Sequence, residues 1–274
     1  MLKIRFTRTY RYLLVITGWL SPLLLGIAVG TLFGGAPFNV NKDAITDSLT
    51  PVISTWEGKL FGFEALGNIW NIVLGLSVMF LARILGALYL INNVNHEDVT
   101  KRLRKSVLLN TIPFLLCFVS FVVHLLLKDG LHYVSDTETF MLTSYKYLTN
   151  FMTYPLVSAL FITGVVCVIF GIIRTILSPT FVKGIWFAGL GTVLTVMNLL
   201  VIAGFNNTAF YPSTVHTNSS LCIANSSASE TTLFTMTIVS AIIPFVLAYI
   251  AYAWRKIDTK QITEEEISST SHKY

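Results

Sequence analysis

Six blocks of apolar residues, at 12–33, 66–91, 107–127, 151–177, 184–204 and 232–254, constrain this chain more than any other feature. Each is about 20 residues or longer, the length an α-helix needs to cross a hydrocarbon core about 30 Å thick. Inside hydrocarbon no water reaches the backbone. Each block must therefore satisfy its own N–H and C=O groups, which a helix does and an open strand does not. Composition agrees: 54% of the 274 residues are hydrophobic and 12% are charged, where a soluble domain carries about 25% charged residues. The expected fold is all-α, a polytopic transmembrane bundle of six spans. A basic segment at 1–11 precedes a membrane domain at 12–254, and a tail at 255–274 follows it.

The placement of charge orients the bundle. Lys3, Arg5, Arg8 and Arg11 precede the first span; Lys101, Arg102, Arg104 and Lys105 follow the second; Arg174 and Lys183 follow the fourth; Arg255, Lys256, Lys260 and Lys273 follow the sixth. That is 14 of the 19 basic residues on one side. The alternate loops hold Lys42, Lys59, Lys128 and Lys146, and Arg83 lies within a span. Basic loops stay in the cytoplasm, so both termini are expected there. The net charge of +5 is thus an orientation signal, and no nucleic-acid partner is expected.

The remaining local signals are mostly structural. Cys117 and Cys167 lie in spans and Cys222 lies alone in an outer loop, so no disulfide framework is implied. The outer segment WEGKLFGFEAL (56–66) suits a short amphipathic helix along the interface, with Trp56 at headgroup level. The loop at 205–230, rich in Asn, Ser and Thr, reads as turns and a solvated cap. Its N-x-S/T patterns at Asn206, Asn218 and Asn225 are read as chance in so biased a stretch rather than as glycan acceptors. Gly26, Gly30 and Gly34 recur every four residues on the first span and favour close helix packing. Pro22, Pro113, Pro155 and Pro244 sit in or at the ends of spans, where a local kink is tolerated. Asn68, Asn71, Asn110 and Asn198 are expected to bond between helices.

Two residues inside the spans carry possible chemistry. Arg83 lies near the middle of the second span, where exposure to lipid costs about 2.5–3.5 kcal/mol, so it should face protein or water. It reads either as the partner of a proton, ion or cofactor propionate, or as an anchor fixing helix register or subunit contact. No carboxylate lies mid-span, which leaves a backbone carbonyl or a group on another chain as its partner. Glu64 is about 28 Å away along the helix, too far for a pair. His124 is the sole intramembrane histidine. A transmembrane haem needs a second axial ligand, so an interface hydrogen bond is the better reading. No metal cluster, P-loop or catalytic triad is present in the pattern. The candidate buried structural or subunit-contact residues are Arg83, His124, Gly26 and Gly30, with no catalytic residue expected.

The stretches GWLSPLLLGIAVGTLFGG (18–35) and WNIVLGLSVMFLARILGALYLINN (70–93) resemble subunit II of the cytochrome bd quinol oxidases, in the form found in Bacteroidetes. So do YKYLTNF (145–151), KGIWFAGLGTVLTV (183–196), NNTAFYPS (206–213), SLCIANSSASETTL (220–233) and PFVLAYIAYAWR (244–255), in order along nearly the whole chain. The resemblance implies the subunit without haem of a heterodimeric terminal oxidase in the bacterial cytoplasmic membrane. Haems b and d and the quinol-oxidising loop would belong to subunit I, with electrons passing from quinol to oxygen to give water. This chain would bind none of those haems, would support assembly, and in some family members the subunit holds a structural quinone. Members of the family have about nine spans, and KIRFTRTYRYLL resembles the cytoplasmic loop before their fourth helix. The first three spans are therefore expected to be missing, by truncation, a split subunit or a late start, and a separate N-terminal piece is a possible partner beside subunit I, lipid and quinone. The alternative is a secondary transporter or another six-span membrane protein. A transporter would show helices broken in paired positions of two halves, and the spans have no such breaks.

Overall fold

The computed structural model describes residues 2–41 and 53–257, with side chains from Thr9 to Lys256. Lys42, Lys260, Lys273 and the rest of the tail beyond 257 lie outside the described residues, as do the side chains of Lys3, Arg5 and Arg8. Among the described residues six helices are long and apolar enough to cross a membrane. They are α1 (Leu2–Gly34), α2 (Ile69–Asn93), α3 (Glu97–Leu127), α5 (Pro155–Leu177), α6 (Gly184–Gly204) and α8 (Glu230–Ile257). Two short helices, α4 (Lys146–Thr153) and α7 (Ile223–Ser226), join them outside the spans.

Caps, more than hydropathy, set the helix ends. The side chain of Asn68 accepts the N–H of Trp70 at 3.0 Å and starts α2 three residues inside the apolar block. Helix α3 begins ten residues before its block, because His96 caps the N–H of Val99 and Glu97 and Asp98 fill the first turn. Acidic side chains there complement the positive end of the helix dipole. At α5 the expected span is cut back to Pro155, which takes the first helical position, where its missing N–H costs nothing. Residues 151–153 belong instead to α4.

Glycines let two helix pairs approach closely. Gly26, Gly30 and Gly34 of α1 face α2: a Cβ on Gly26 would come within 2.7 Å of the Gly75 backbone, and one on Gly30 within 2.7 Å of Asn71. Helices α5 and α6 interlock through Gly164 against Gly191 and Gly171 against Gly184. A Cβ on Gly191 would stand 2.5 Å from the Gly164 carbonyl. Between these pairs Ile84, Leu88, Val107, Ile172 and Ala188 form one core layer. A second, around Phe33, Leu74, Phe121, Tyr147 and Ile202, lies toward the C-terminal ends of α1, α3 and α6.

Those ends also carry strands, which hydropathy gave no sign of. Strand β1 (Phe38–Val40) pairs antiparallel with β2 (Ser54–Trp56), and β3 (Gly130–Val134) with β4 (Thr139–Thr143). The amphipathic helix expected over 56–66 is not formed. Trp56 lies in β2, and only Phe63–Gly67 winds into a 3-10 turn. Gly62, at φ 107°, breaks the segment, and the Glu64 carboxylate accepts the N–H groups of Leu60 and Gly62 instead of lining a helix face.

The loop at 205–230 is also more buried than a solvated cap. Thr208, Ala209, Ser213, Ser219, Ser220 and Cys222 are buried, because the loop bridges to its neighbours at Ala36–Ser213 and His132–Thr208. Phe38 stacks on Tyr211 at 5.2 Å, and Ser213 donates its hydroxyl to the Phe38 carbonyl at 2.5 Å. The C-terminal ends of α1, α3 and α6 are thereby sewn into one lid.

Candidate functional site

Beneath that lid is a network of buried polar side chains. Lys146 opens α4, behind Tyr145 in the left-handed region at φ 52°, and is 3% exposed. Its Nζ donates to the Asn206 carbonyl at 2.9 Å and meets His132 Nδ1 at 3.0 Å. Asn150, fully buried, donates to the Ile202 carbonyl at 3.0 Å and to Thr208 at 2.8 Å, and its own carbonyl accepts from Asn206 at 3.0 Å. Asn206 and Asn207 hold positive φ values of 59° and 53°, a region Asn tolerates better than most residues. Burial pushes the Lys146 ammonium below the usual lysine range, and the nearby Tyr147 phenol up to about 12.

The network belongs to a pattern of cations closing helix ends. Lys128 donates to the Phe33 carbonyl in the last turn of α1. Lys146 does the same just past α6. At the opposite membrane face Arg104 of α3 donates to the carbonyls of Thr175, Ser178, Pro179 and Phe181 at the end of α5. The last carbonyls of a helix lack intrahelical donors and carry the negative end of its dipole, so a cation suits them on both counts. Sequence reasoning took these three residues only as orientation signals. It also missed the α5–α6 glycines, although their seven-residue spacing, 164 to 171 and 184 to 191, is visible in the sequence.

The three N-x-S/T asparagines are loop staples. Asn206 sits in the network above, Asn218 accepts the N–H of Phe140 at 3.3 Å, and Asn225 accepts that of Cys222 at 2.8 Å. The interhelical bonds expected of four other asparagines are not what those side chains make. Asn110 and Asn198 donate back to Ser106 and Leu194 within their own helices. Asn71 donates to Ala65, and Asn68 caps α2.

Of the residues singled out for chemistry, His124 lies flat on Trp70, ring centroids 3.8 Å apart and 1° from parallel. Gly26 and Gly30 lie in the α1–α2 contact. Arg83 reaches across the same helix pair and places its guanidinium carbon 4.0 Å over the Trp19 ring. Its Nη1 is buried and has no hydrogen-bond partner among the described residues. The structure does not bring Arg83, His124 and the outer network together. Arg83 sits 14 residues from the start of α2, about 21 Å along the helix by its rise.

A cleft of about 940 Å³ opens between the C-terminal end of α1, the 3-10 turn and the lid. Leu24, Ile27 and Ala28 line its apolar side, and Glu64, Asn68 and Asn71 its polar side. His124 faces the Trp70 ring, and no second histidine lies within the six apolar blocks. Among the described residues no three His, Cys, Asp or Glu side chains gather into a metal-holding group.

Comparison with known proteins supplies the frame for these features. The family model described as cytochrome bd terminal oxidase subunit II matches residues 3–257. The cytochrome bd-I ubiquinol oxidase subunit 2 proteins of Escherichia coli strains are 26% identical over 284 residues, covering 98% of this chain and 69% of the relative. The match runs through all six spans. The chain therefore belongs to the cytochrome bd terminal oxidase subunit II family, as one multi-pass membrane subunit of a quinol oxidase.

Proposed function

We propose that this chain is the subunit of its oxidase that carries no haem, and that it acts by holding the haem-bearing subunit in the bacterial inner membrane. Quinol oxidation and oxygen reduction to water take place in that partner. The observation that carries this reading is the contrast between α8 and the helices around it. In its most apolar window α8 buries 0% of its residues, where α2 buries 39%. Leu233, Phe234, Met236, Phe245 and Tyr249 are all exposed, on every side of the helix. Between helices in lipid, association rests on packing and hydrogen bonds rather than on a hydrophobic drive. Among the described residues α8 buries none of its apolar window, so it adds little to this bundle's stability, and its contribution is to a surface for another subunit.

Both termini face the cytoplasm in this reading, supported by the basic residues on one side and by Arg104 tying α3 to the α5–α6 turn on that same side. The quinone implied by the resemblance fits the outer cleft best. There an apolar wall stands opposite Asn68, Asn71 and Glu64, the arrangement of a mostly apolar pocket with few oriented polar groups.

Co-purification from native membranes tests the proposal. A tagged chain should bring down a haem-bearing subunit with a reduced-minus-oxidised spectrum of haems b and d, while the chain expressed alone shows none. A stoichiometric b-type spectrum from the isolated chain overturns the division of labour. Reporter fusions at Asn218 and after Arg255 test the orientation, expected external and cytoplasmic respectively.

A further inference from the structure

Two histidines of the lid face groups of opposite sign. His132, on β3, meets the buried Lys146 ammonium with its Nδ1, 3.0 Å away. His216, in the loop beyond α6, holds Nε2 3.9 Å from the carboxylate of Glu57, just past β2. A lysine ammonium has three N–H donors and no acceptor, so Nδ1 takes a bond from Nζ only while it carries no proton of its own. Histidine is the side chain whose charge ordinarily changes between pH 5 and 8. A proton on His132 turns that acceptor into a second cation against Lys146. A proton on His216 instead gives Glu57 an opposite charge.

Burial decides which of the two contacts governs the lid. The His216 and Glu57 side chains are 57% and 35% exposed, and an exposed ion pair is worth little. Lys146 is buried, and its stem lies so close to Gly130 that a Cβ on that glycine would come within 2.8 Å of the Lys146 Cβ. Burial already pulls the ammonium below the usual lysine range, which leaves no place for a second positive charge beside it. The other titratable groups around the contact do not take up that charge. Tyr147 of α4 is pushed up to about 12 by burial and stays neutral. Tyr133 lies on the other face of β3, with Phe140 and Cys222. Asp129, at the end of α3, has its carboxylate on the N–H of Tyr145 at 3.2 Å, Lys128 donates to the Phe33 carbonyl, and Asp136 and Glu138 are exposed in the turn between β3 and β4. Across the β-ladder from His132 stands Met141.

Lys146 also joins three segments at one point. It ties α4 to β3 through His132, and to the loop beyond α6 through the Asn206 carbonyl at 2.9 Å. Strand β3 and that loop are bonded to each other independently, by the Tyr133 N–H to the Asn207 carbonyl at 2.8 Å and the Ala209 N–H to the Leu131 carbonyl at 3.0 Å. We propose that Lys146 and His132 form a proton-operated clasp: neutral His132 fastens the unit of β3 and the loop at 206–209 to α4, and protonation of His132 releases it. The unit itself stays together, and the weak His216–Glu57 pair tightens on the side of β2 as the clasp opens. The clasp is built from α4, β3 and the loop, and it works whichever way the bundle is oriented.

Hydrogen exchange of the assembled complex at pH 8 and pH 5.5, corrected for the pH dependence of free amide exchange, tests the clasp. Protection across α4 should fall several-fold at the lower pH, while the amides of Tyr133 and Ala209 keep theirs. His132→Gln, whose side chain retains a carbonyl acceptor and binds no proton, should hold α4 equally at both values. His216→Gln should leave the response of the parent in place. Should His132→Gln fail to fold, Lys146→Met serves instead: with no cation facing His132, α4 should exchange fast at both values and show no response. Equal protection of α4 at the two pH values in the parent overturns the proposal, as does a response that survives His132→Gln or Lys146→Met, or one abolished by His216→Gln. Loss of protection at Tyr133 and Ala209 as large as that in α4 also overturns it, because the whole lid would then be melting.

Discussion

Lys146 and Arg83 are both basic residues withdrawn from water, and the chain treats them differently. Lys146 lies under the lid with acceptors from His132 and Asn206, both supplied by this chain. Arg83 has an aromatic face from Trp19 and a buried N–H with no acceptor among the described residues. A buried donor without a partner forfeits the hydration it left behind, about 1–3 kcal/mol. Among the described residues the lid thus meets the donors of its buried cation, and the α1–α2 contact leaves one of Arg83's unmet.

Removing the cation of the lid should cost the isolated chain most. Lys146→Met keeps the volume but strands the Asn206 carbonyl and loosens α4 from the lid. A loss of about 1–3 kcal/mol is expected, read as a lower melting temperature of the purified chain in detergent. A variant melting with the parent would break the comparison from this side.

Arg104→Gln probes the same device at the opposite face. It withdraws a cation from four carbonyls at the end of α5, but Pro179 beside it is exposed and water can replace part of what is lost. The expected cost is smaller, about 1 kcal/mol, comparable to other helix-end interactions. It should appear first as faster hydrogen exchange in residues 175–181.

The smallest effect is a pH dependence of the lid. Burial holds the folded Lys146 below the ordinary value of 10.5, so the unfolded chain binds this proton more tightly. The contribution of Lys146 to stability then rises with pH through its folded value and levels off above 10.5. The melting gap between the parent and Lys146→Met should widen from neutral toward alkaline pH. A gap that narrows would mean the ammonium is favoured in the folded chain.

Hydropathy made the six spans legible because lipid imposes one requirement on every residue it touches. The four-residue spacing of Gly26, Gly30 and Gly34 likewise showed a close contact, since a helix face is a local property. The lid was not legible. Lys146 meets Asn206 across 60 residues, and β3 is bridged by a loop beyond α6 that neither segment announces. Arg83 stood out by its depth, but its contact with Trp19 joins two helices whose register is a product of the fold. Its missing acceptor is visible only once every neighbour is placed. Helix limits show the same division: Pro155 and the His96 cap are local signals that hydropathy alone overrides, which is why the block at 107 hid a helix beginning at Glu97.

The most direct test of this account compares Arg83→Leu with its parent twice, as the isolated chain and as the complex purified with the haem-bearing subunit. In the isolated chain the variant should melt with the parent, since the lost contact with Trp19, about 0.5–2 kcal/mol, is offset by removing a stranded buried N–H. In the complex it should lower both the melting temperature and the yield of intact assembly, while the surviving oxidase keeps its quinol oxidation per haem. A variant that destabilises the isolated chain as much as Lys146→Met, yet assembles and melts normally in the complex, would contradict it.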